Sequence, residues 1–143
     1  MSTINEFKTS SNVVFSCKYH LVWCPKYRRK VLVDEVAVRL ENIICETAAE
    51  KQVEIIEMEI TPALACGASV PDHVHLLCEI HPQYGVHLFE RLIKGRSSRL
   101  LRQEYKSLRT RLLTLWTNSY FISTVGGAPL EIIKQYIESQ KRV

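Results

Sequence analysis

The chain has 143 residues, of which 46% are hydrophobic and 24% charged, with five glycines and five prolines. This composition is typical of one ordinary globular domain over residues 1–143, and it excludes a disordered, fibrous or multidomain protein. A domain of this length buries roughly 68–70% of its unfolded surface, so it needs no disulfide or structural metal for stability. Any bound metal ion should therefore serve chemistry.

The cysteines and the amino-terminal segment predict a cytoplasmic protein. The five cysteines form no Cys-x-x-Cys pair, and the first residues, MSTINEFKTSSN, are polar and unlike a secretory leader. We therefore expect reduced thiols. No stretch approaches the ~18 consecutive apolar residues that a membrane span requires, so no membrane partner is expected.

Positive charge is concentrated in one segment. The formal net charge is +4, but residues 91–111 contain eight basic residues against one acid, which gives this segment +7 and leaves −3 for the rest. Such asymmetry is typical of proteins that bind polyanions, and nucleic acid is the partner we expect. The alternative is a solvated helix face, because Lys and Arg are common at surfaces.

The first half of the chain predicts a strand, a helix and a strand. Residues 13–24 (VVFSCKYHLVWC) are rich in β-branched and aromatic side chains and end at Pro25, which is typical of a strand. Asp34 is a suitable N-cap, and apolar residues then recur at helical spacing, so a helix is predicted over 34–51. Residues 53–60 alternate in part and predict a second strand.

The second half repeats this order and adds a helix. Residues 73–80 predict a strand and 86–105 a helix, which Gly95 should loosen because glycine costs a helix interior about 1 kcal/mol relative to Ala. Residues 118–125 predict the fourth strand, and Pro129, favoured in a first turn, begins a last helix. The order predicts an α+β, ferredoxin-like split βαβ fold with an antiparallel sheet, two helices on one face and the other face open for a ligand or the last helix.

Two histidines at a spacing of two are candidate metal ligands. Side chains alternate faces along a strand, so His73 and His75 should project from the same side of the sheet. Two imidazoles in that arrangement can chelate a metal ion. The spacing alone is a weak motif, since a chain with five histidines contains such a pair by chance in roughly one shuffle in six. A surface or capping pair is the alternative.

The last predicted helix brings a tyrosine and a glutamine together. Tyr136 and Gln140 are four residues apart, at the edge of the apolar stripe of this helix. A tyrosine hydroxyl can act as a nucleophile through a covalent intermediate, and a metal ion that activates the electrophile would help it. The alternative is a packing tyrosine that hydrogen-bonds through its hydroxyl.

Five segments, in order along the chain, carry a family resemblance. They are HLVWCPKYRRKVL (20–32), PDHVHLL (71–77), LIKGRSSRLLR (92–102), LWTNSYFISTVGG (115–127) and IKQYIESQ (133–140). Together they closely resemble the IS200/IS605-type single-tyrosine (Y1) transposases of the HUH endonuclease superfamily.

This resemblance implies an activity and a site. His73 and His75 correspond to the family's metal ligands, Gln140 to the third ligand and Tyr136 to the nucleophile. Such enzymes cleave single-stranded DNA, keep a 5′-phosphotyrosine link and release a 3′-hydroxyl that later reverses the step. The implied cofactor is Mg²⁺ or Mn²⁺, whereas ligand preference alone would favour zinc or another transition metal. A homodimer with sheets joined edge to edge, acting in the prokaryotic cytoplasm, is also implied.

Two basic clusters are candidates for holding the terminal DNA hairpins that this family binds. On the second predicted helix, basic and polar side chains recur at spacings of three and four, which suits a phosphate backbone. Trp116 and Tyr120 are candidates for stacking on bases, with core packing as the alternative. The candidate DNA-binding residues are Lys26, Arg28, Arg29 and Lys30 after the first strand, and Arg91, Lys94, Arg96, Ser98, Arg99 and Arg102 on the second helix.

The segment 61–69 (TPALACGAS) departs from the family, whose members pass almost directly into the PDHVH segment. We expect it to lengthen a surface loop at little cost in stability, because closure entropy grows slowly with length. If it lies beside the metal, it can disturb His73. Two other functions remain open: an inactive or domesticated relative that binds hairpins as a regulator, and a metal-dependent hydrolase that uses water.

Overall fold

The computed structural model describes residues 7–10, 12–26, 31–32, 34–61, 72–111, 114–125 and 130–140. Within these residues there is no helix long and apolar enough to cross a membrane. The described residues form the strands β1 (Lys8–Ser10), β2 (Val13–Phe15), β3 (Lys18–Trp23), β4 (Glu54–Thr61), β5 (His73–Glu79) and β6 (Phe121–Thr124), and the helices α1 (Asp34–Glu50), α2 (Val86–Glu104), α3 (Lys106–Arg111) and α4 (Leu130–Ser139).

Four of the strands form one antiparallel sheet in the order β4-β5-β3-β6. Helix α1 connects β3 to β4, and α2 with α3 connects β5 to β6. This order and these connections are those of the split βαβ arrangement. The predicted α+β fold with an antiparallel sheet is therefore confirmed.

The main core lies between one face of this sheet and helices α1 and α2. Alternation along β3 sends Leu21 and Trp23 into this core, where both are fully buried. Ile43 of α1 and Phe89 of α2 cover them from the helix side and are equally buried. Burying each such side chain contributes roughly 1.5–3 kcal/mol, so this layer holds the sheet rigid beneath the opposite face.

Helix α4 packs on that opposite face. Ile137 joins Val22 and Cys24 in a second buried cluster, against which Phe121 and Tyr136 also pack. Because Val22 alternates with Leu21 and Trp23 along β3, this cluster lies on the face that α1 and α2 leave uncovered. Of the two occupants that the sequence left open for this face, a ligand or the last helix, the structure places the last helix there.

The single strand predicted over 13–24 is wrong. It is divided into β2, which pairs with β1 as a hairpin, and β3, which enters the main sheet. Between them the backbone amide of Cys17 donates to a side-chain carboxylate oxygen of Glu79 at 2.8 Å, and not to a backbone carbonyl of a neighbouring strand. Glu79 also forms an ion pair with Lys18 at 3.4 Å, and both side chains are buried. This buried ionic contact lies at the point where the chain stops pairing with β1 and begins to pair with β5.

Other details of the elements also differ from prediction. The helix predicted over 86–105 runs unbroken through Gly95, so the loosening expected there is wrong. It ends at Glu104 because Tyr105 is extended, with φ −120 and ψ 105, and α3 begins immediately afterwards. The strand predicted over 118–125 covers only the four residues of β6. Of the segment 61–69, Thr61 ends β4, and the remainder lies outside the described residues.

Candidate active site

Strand β5 begins with the histidine pair. His75 pairs with Val22 of β3 in the antiparallel register, so it lies on the sheet face that α4 covers. His73, two residues away on the same strand, shares that face and is 6% exposed. The two imidazoles are thus placed side by side, on a strand buttressed by the main core behind it.

His75 has a specific set of neighbours on adjacent strands. Its Nε2 lies 3.0 Å from Nδ1 of His20 on β3, and Glu59 pairs with it from β4. Burial lowers the pKa of His75, the charge of His20 lowers it further, and Glu59 opposes both effects. The imidazole is therefore neutral near pH 7, which is the form that binds metal ions.

A cavity of about 560 Å³ opens beside this histidine. It is bounded by side chains of β4 and β5, including the carboxylates of Glu57 and Glu59. Neither carboxylate was singled out from the sequence, because the pairing of β4 with β5 decides which side chains meet His75. A molecule or ion in this cavity would have direct access to the imidazole of His75.

Tyr136 and Gln140 meet at one hydroxyl group. The Oγ atom of Ser119 donates to Oε1 of Gln140 at 2.8 Å, and it lies 3.0 Å from the phenolic oxygen of Tyr136. A serine hydroxyl has one proton, so Ser119 must accept the hydrogen bond from Tyr136. Burial raises the pKa of Tyr136, and the hydrogen bond with Ser119 offsets part of this effect. The phenol is consequently neutral in this arrangement.

Lys94 positions Ser119. Its Nζ atom donates to the carbonyl oxygens of Thr117 and Ser119 at 2.8 and 3.0 Å. The same ammonium forms an ion pair with Glu90 one turn earlier on α2, at 3.3 Å, with only 11% and 5% of the two side chains exposed. Burial lowers the pKa of Lys94, although Glu90 opposes this effect. One buried lysine thus ties the segment before β6 to α2.

The predicted metal ligands at this site include two side chains of a usual type, the imidazoles of His73 and His75. Among the described residues no three His, Cys, Asp or Glu side chains are grouped closely enough to hold an ion. His73 and His75 offer two nitrogens, and the third donor that the family resemblance implies, Gln140, is of another type. In this arrangement its carboxamide oxygen accepts a hydrogen bond from Ser119.

A buried carboxylate links the histidine strand to the chain that follows the first basic cluster. Asp72, directly before His73, accepts the backbone N–H groups of Val31 and Leu32 at 2.7 and 2.8 Å. On the other side of the cluster, the amide of Lys26 donates to the carbonyl of Leu115 at 2.8 Å. The predicted contacts of Arg28, Arg29 and Lys30 lie outside the described residues, but both flanks of this cluster are anchored near β5 and β6.

Five of the six candidate DNA-binding residues on α2 line one groove of about 560 Å³, which Arg109 of α3 also borders. Arg96 instead lies against α1, where it binds Glu50 at 3.1 Å. The Nε atom of Arg102 is buried without a hydrogen-bond partner in the described part of the chain. The groove residues from the predicted set are Arg91, Lys94, Ser98, Arg99 and Arg102.

The two aromatic candidates differ. Trp116 is 4% exposed, stacks edge-on against Trp23 and donates to Oγ of Ser97 at 2.9 Å. It belongs to the core, so base stacking is the wrong interpretation for this residue. Tyr120 is half-buried and stacks on His87 with ring centroids 6.3 Å apart. Its ring also lies 5.9 Å from the ammonium of Lys94.

Besides the carboxylates of Glu57 and Glu59, sequence reasoning missed two residues that contact the candidate site, His20 and Ser119. His20 lies two positions before Val22, so alternation alone could have placed it on the face of the predicted ligands. Ser119 gave no such signal, since it falls in a segment predicted to be strand and actually precedes β6.

Comparisons with known proteins identify the sequence family of this chain. Residues 13–140 match the sequence family described as "Transposase IS200 like". The chain is 40% identical over 137 residues to the ISDra2 transposase TnpA of Deinococcus radiodurans, a match that covers 94% of this chain and 91% of the relative. It is 32% identical over 139 residues to the transposase for insertion sequence element IS200 of Salmonella typhimurium, covering 94% and 86%.

Solved structures show the same likeness. The crystal structure of a candidate transposase from Deinococcus radiodurans R1 superposes with a TM-score of 0.79 at 33% identity, covering 95% of this chain and 99% of that one. A REP-associated tyrosine transposase bound to a REP hairpin shares the fold, with a TM-score of 0.55 at 11% identity over 91% of this chain and 67% of that one. The sequence family, the relatives and the fold together establish that this chain belongs to the IS200-like transposases.

Proposed function

We propose that this transposase cleaves and rejoins single-stranded DNA through a 5′-phosphotyrosine link on Tyr136, after binding the terminal hairpins of an IS200/IS605-type element. One observation carries the proposal. Tyr136 and Gln140 lie together at Ser119, on a helix packed against the sheet face that holds His73 and His75. A nucleophile, an amide oxygen and two imidazoles thus share one side of the sheet.

The cleavage step exchanges one phosphorus–oxygen bond for another. The phenolic oxygen of Tyr136 forms a bond to phosphorus while the bond from phosphorus to the 3′-oxygen breaks. The phenol gives up its proton and the 3′-oxygen leaves as a hydroxyl, so the reverse step needs no external energy source. Burial raises the pKa of Tyr136, so the phenol is protonated in the Ser119-bound arrangement and loses its proton during the reaction.

His73, His75 and Gln140 are the residues that would hold Mg²⁺ or Mn²⁺. When bound, the ion would supply a Lewis acid for the phosphate oxygens. The oxygen of Gln140 accepts from Ser119 and the hydroxyl of Tyr136 donates to it, so this serine holds both groups in fixed positions. We interpret the Ser119-bound arrangement as a resting state of the site.

The groove beside α2 is the proposed hairpin-binding surface. Two of its arginines, Arg91 and Arg99, are exposed and suited to phosphate oxygens. Support comes from a neighbour of the same fold, whose structure contains a REP hairpin. We also propose a homodimer, in line with the family resemblance, with the outer strands β4 and β6 as the edges available for joining two sheets.

The test uses end-labelled single-stranded hairpin DNA with Mn²⁺ and a denaturing gel. Wild-type protein should form a covalent protein–DNA adduct, and Tyr136→Phe should form none. Tyr84→Phe is the matched control, since Tyr84 packs on Phe89 of the main core and should leave the adduct intact. Cleavage that survives in Tyr136→Phe would identify a hydrolase that uses water. Hairpin binding without cleavage by the wild type would identify a regulator.

A further inference from the structure

His20 makes a contact with His75 that the proposed chemistry does not use. The two residues are diagonal neighbours, since His20 pairs with Leu77 and Val22 pairs with His75 on the same pair of strands. Side chains on one face of adjacent strands reach each other across such a diagonal. The ring centroids are 5.2 Å apart and the rings are tilted by 44°, with Nδ1 of His20 3.0 Å from Nε2 of His75. The rings therefore meet through these nitrogens rather than by stacking.

Counting protons restricts how this contact can coexist with metal binding. A neutral imidazole carries one N–H and one lone pair. If His20 donated the hydrogen bond, the lone pair on Nε2 of His75 would accept it and the proton of His75 would lie on Nδ1. Neither nitrogen of His75 could then bind a metal ion. If His75 donates instead, its Nδ1 keeps a free lone pair.

We propose that His20 is a positioning residue that accepts the Nε2–H of His75 and so holds His75 in the tautomer whose Nδ1 binds the metal ion. The inference rests on the proposed function, since it takes His75 as a ligand. Metal-binding histidines usually donate their second ring nitrogen to an acceptor, which fixes both the tautomer and the ring orientation. Here the acceptor is another histidine, and its own proton lies on Nε2.

The first experiment determines the tautomer of His75 in metal-free protein, by ¹⁵N NMR of the histidine rings. In the wild type the proton should lie on Nε2 of His75. His20→Asn should preserve this state, because the side-chain oxygen of Asn stands near the place of Nδ1 of His. His20→Leu should leave a mixture of both tautomers. A proton on Nδ1 of His75 in the wild type would overturn the proposal.

The second experiment measures Mn²⁺ binding by electron paramagnetic resonance. His20→Leu should weaken Mn²⁺ binding by about 10–100-fold, the usual loss when such a partner is removed, and His20→Asn should restore most of it. His87→Leu is the control, since His87 is an exposed histidine on α2 whose ring stacks on Tyr120. Equal Mn²⁺ affinity in His20→Leu and the wild type would contradict the positioning role.

Pulsed measurements of nitrogen couplings to Mn²⁺ separate a positioning residue from a ligand. His20→Asn should keep the number of coordinated imidazoles found in the wild type, and loss of one would show that His20 itself binds the metal. All these measurements can be made in Tyr136→Phe protein, so they do not depend on the nucleophile. If the histidine results hold and no DNA adduct forms, the proposed function fails while the role of His20 stands.

Discussion

Tyr136 on α4 and Gln140, the residue directly after this helix, are hydrogen-bonded to the same atom, the Oγ of Ser119. The hydroxyl of Ser119 thus accepts a hydrogen bond from the proposed nucleophile, Tyr136, and donates one to the oxygen of the proposed third metal ligand, Gln140. Because Gln140 is only 6% exposed, water cannot easily replace the serine as its partner. In the resting-state interpretation, both groups leave Ser119 together, as one movement of α4 away from the segment before β6.

Replacement of Ser119 by alanine tests this coupling. Ser119→Ala removes two hydrogen bonds from the resting arrangement, each worth about 0.5–1.5 kcal/mol. We expect the melting temperature to fall and single-turnover adduct formation to accelerate by about 5–150-fold, since 1.4 kcal/mol corresponds to a factor of ten in rate. Quenched-flow assays with labelled hairpin DNA measure the rate.

Ser107→Ala provides the control for this substitution, because Ser107 is an exposed serine of α3. It should change neither stability nor rate. If Ser119→Ala instead abolished adduct formation, Ser119 would be needed in the reaction itself, and the resting-state interpretation would be wrong.

The sequence predicted those parts of the site that depend on local periodicity. That His73 and His75 share a face follows from the period of two along one strand, and that Tyr136 neighbours Gln140 follows from the period of the helix. The contact of His20 with His75 depends on the register between β3 and β5, which joins residues 55 positions apart. Local patterns contain no information on that register.

The division of the first predicted strand has a similar cause. Its sequence is continuous in β-forming residues, and the chain changes partner where the carboxylate of Glu79 takes the amide of Cys17, 62 positions away. Ser119 was predicted to lie in a strand because a long-range contact of this kind does not show in the local sequence. The ammonium of Lys94 binds the carbonyl oxygen of Ser119 and so holds the segment before β6 against α2.

Lys94 should contribute more to stability than to DNA affinity. Lys94→Met removes the lysine partner of the carboxylate of Glu90, which is 5% exposed, and leaves only His87 at 3.9 Å. Loss of one member of a buried pair costs roughly 3–5 kcal/mol, because the remaining charge is uncompensated. The double variant Lys94→Met/Glu90→Gln should recover part of this loss. Urea unfolding of both variants measures the difference, and a double variant as unstable as the single one would refute the explanation.

Cys78 predicts a loss of stability at alkaline pH. Burial raises the pKa of its thiol from 9.0 to about 12, so between these values the folded chain keeps a proton that the unfolded chain has lost. The folded state then binds more protons than the unfolded state, so the free energy of unfolding falls as the pH rises. The expected contribution is about 1.4 kcal/mol per pH unit above pH 9. Below pH 8 the thiol is protonated in both the folded and the unfolded chain, so its contribution to the free energy of unfolding no longer changes with pH.

Unfolding of the wild type and of Cys78→Ala at a series of pH values isolates this contribution. The decline between pH 9 and 10.5 should be less steep in Cys78→Ala, because the variant lacks the thiol. Cys45→Ala is the comparison, since Cys45 is exposed on α1 and burial raises its pKa without isolating it from water. Parallel curves for Cys78→Ala and the wild type would show that this thiol does not control the alkaline limit.

Two arginines on α2, three residues apart, distinguish a DNA-binding surface from a structural one. Arg99 is exposed in the groove, whereas Arg96 binds Glu50 and the hydroxyl of Thr47 on α1. Arg99→Ala should weaken hairpin binding and reduce the slope of log affinity against log salt by about 1, the effect expected when one phosphate contact is lost. Arg96→Ala removes the same charge from the same helix, so it corrects for the change in net charge. Fluorescence anisotropy with a labelled hairpin at several salt concentrations measures both slopes, and equal changes in the two variants would mean that the groove does not bind the phosphate backbone.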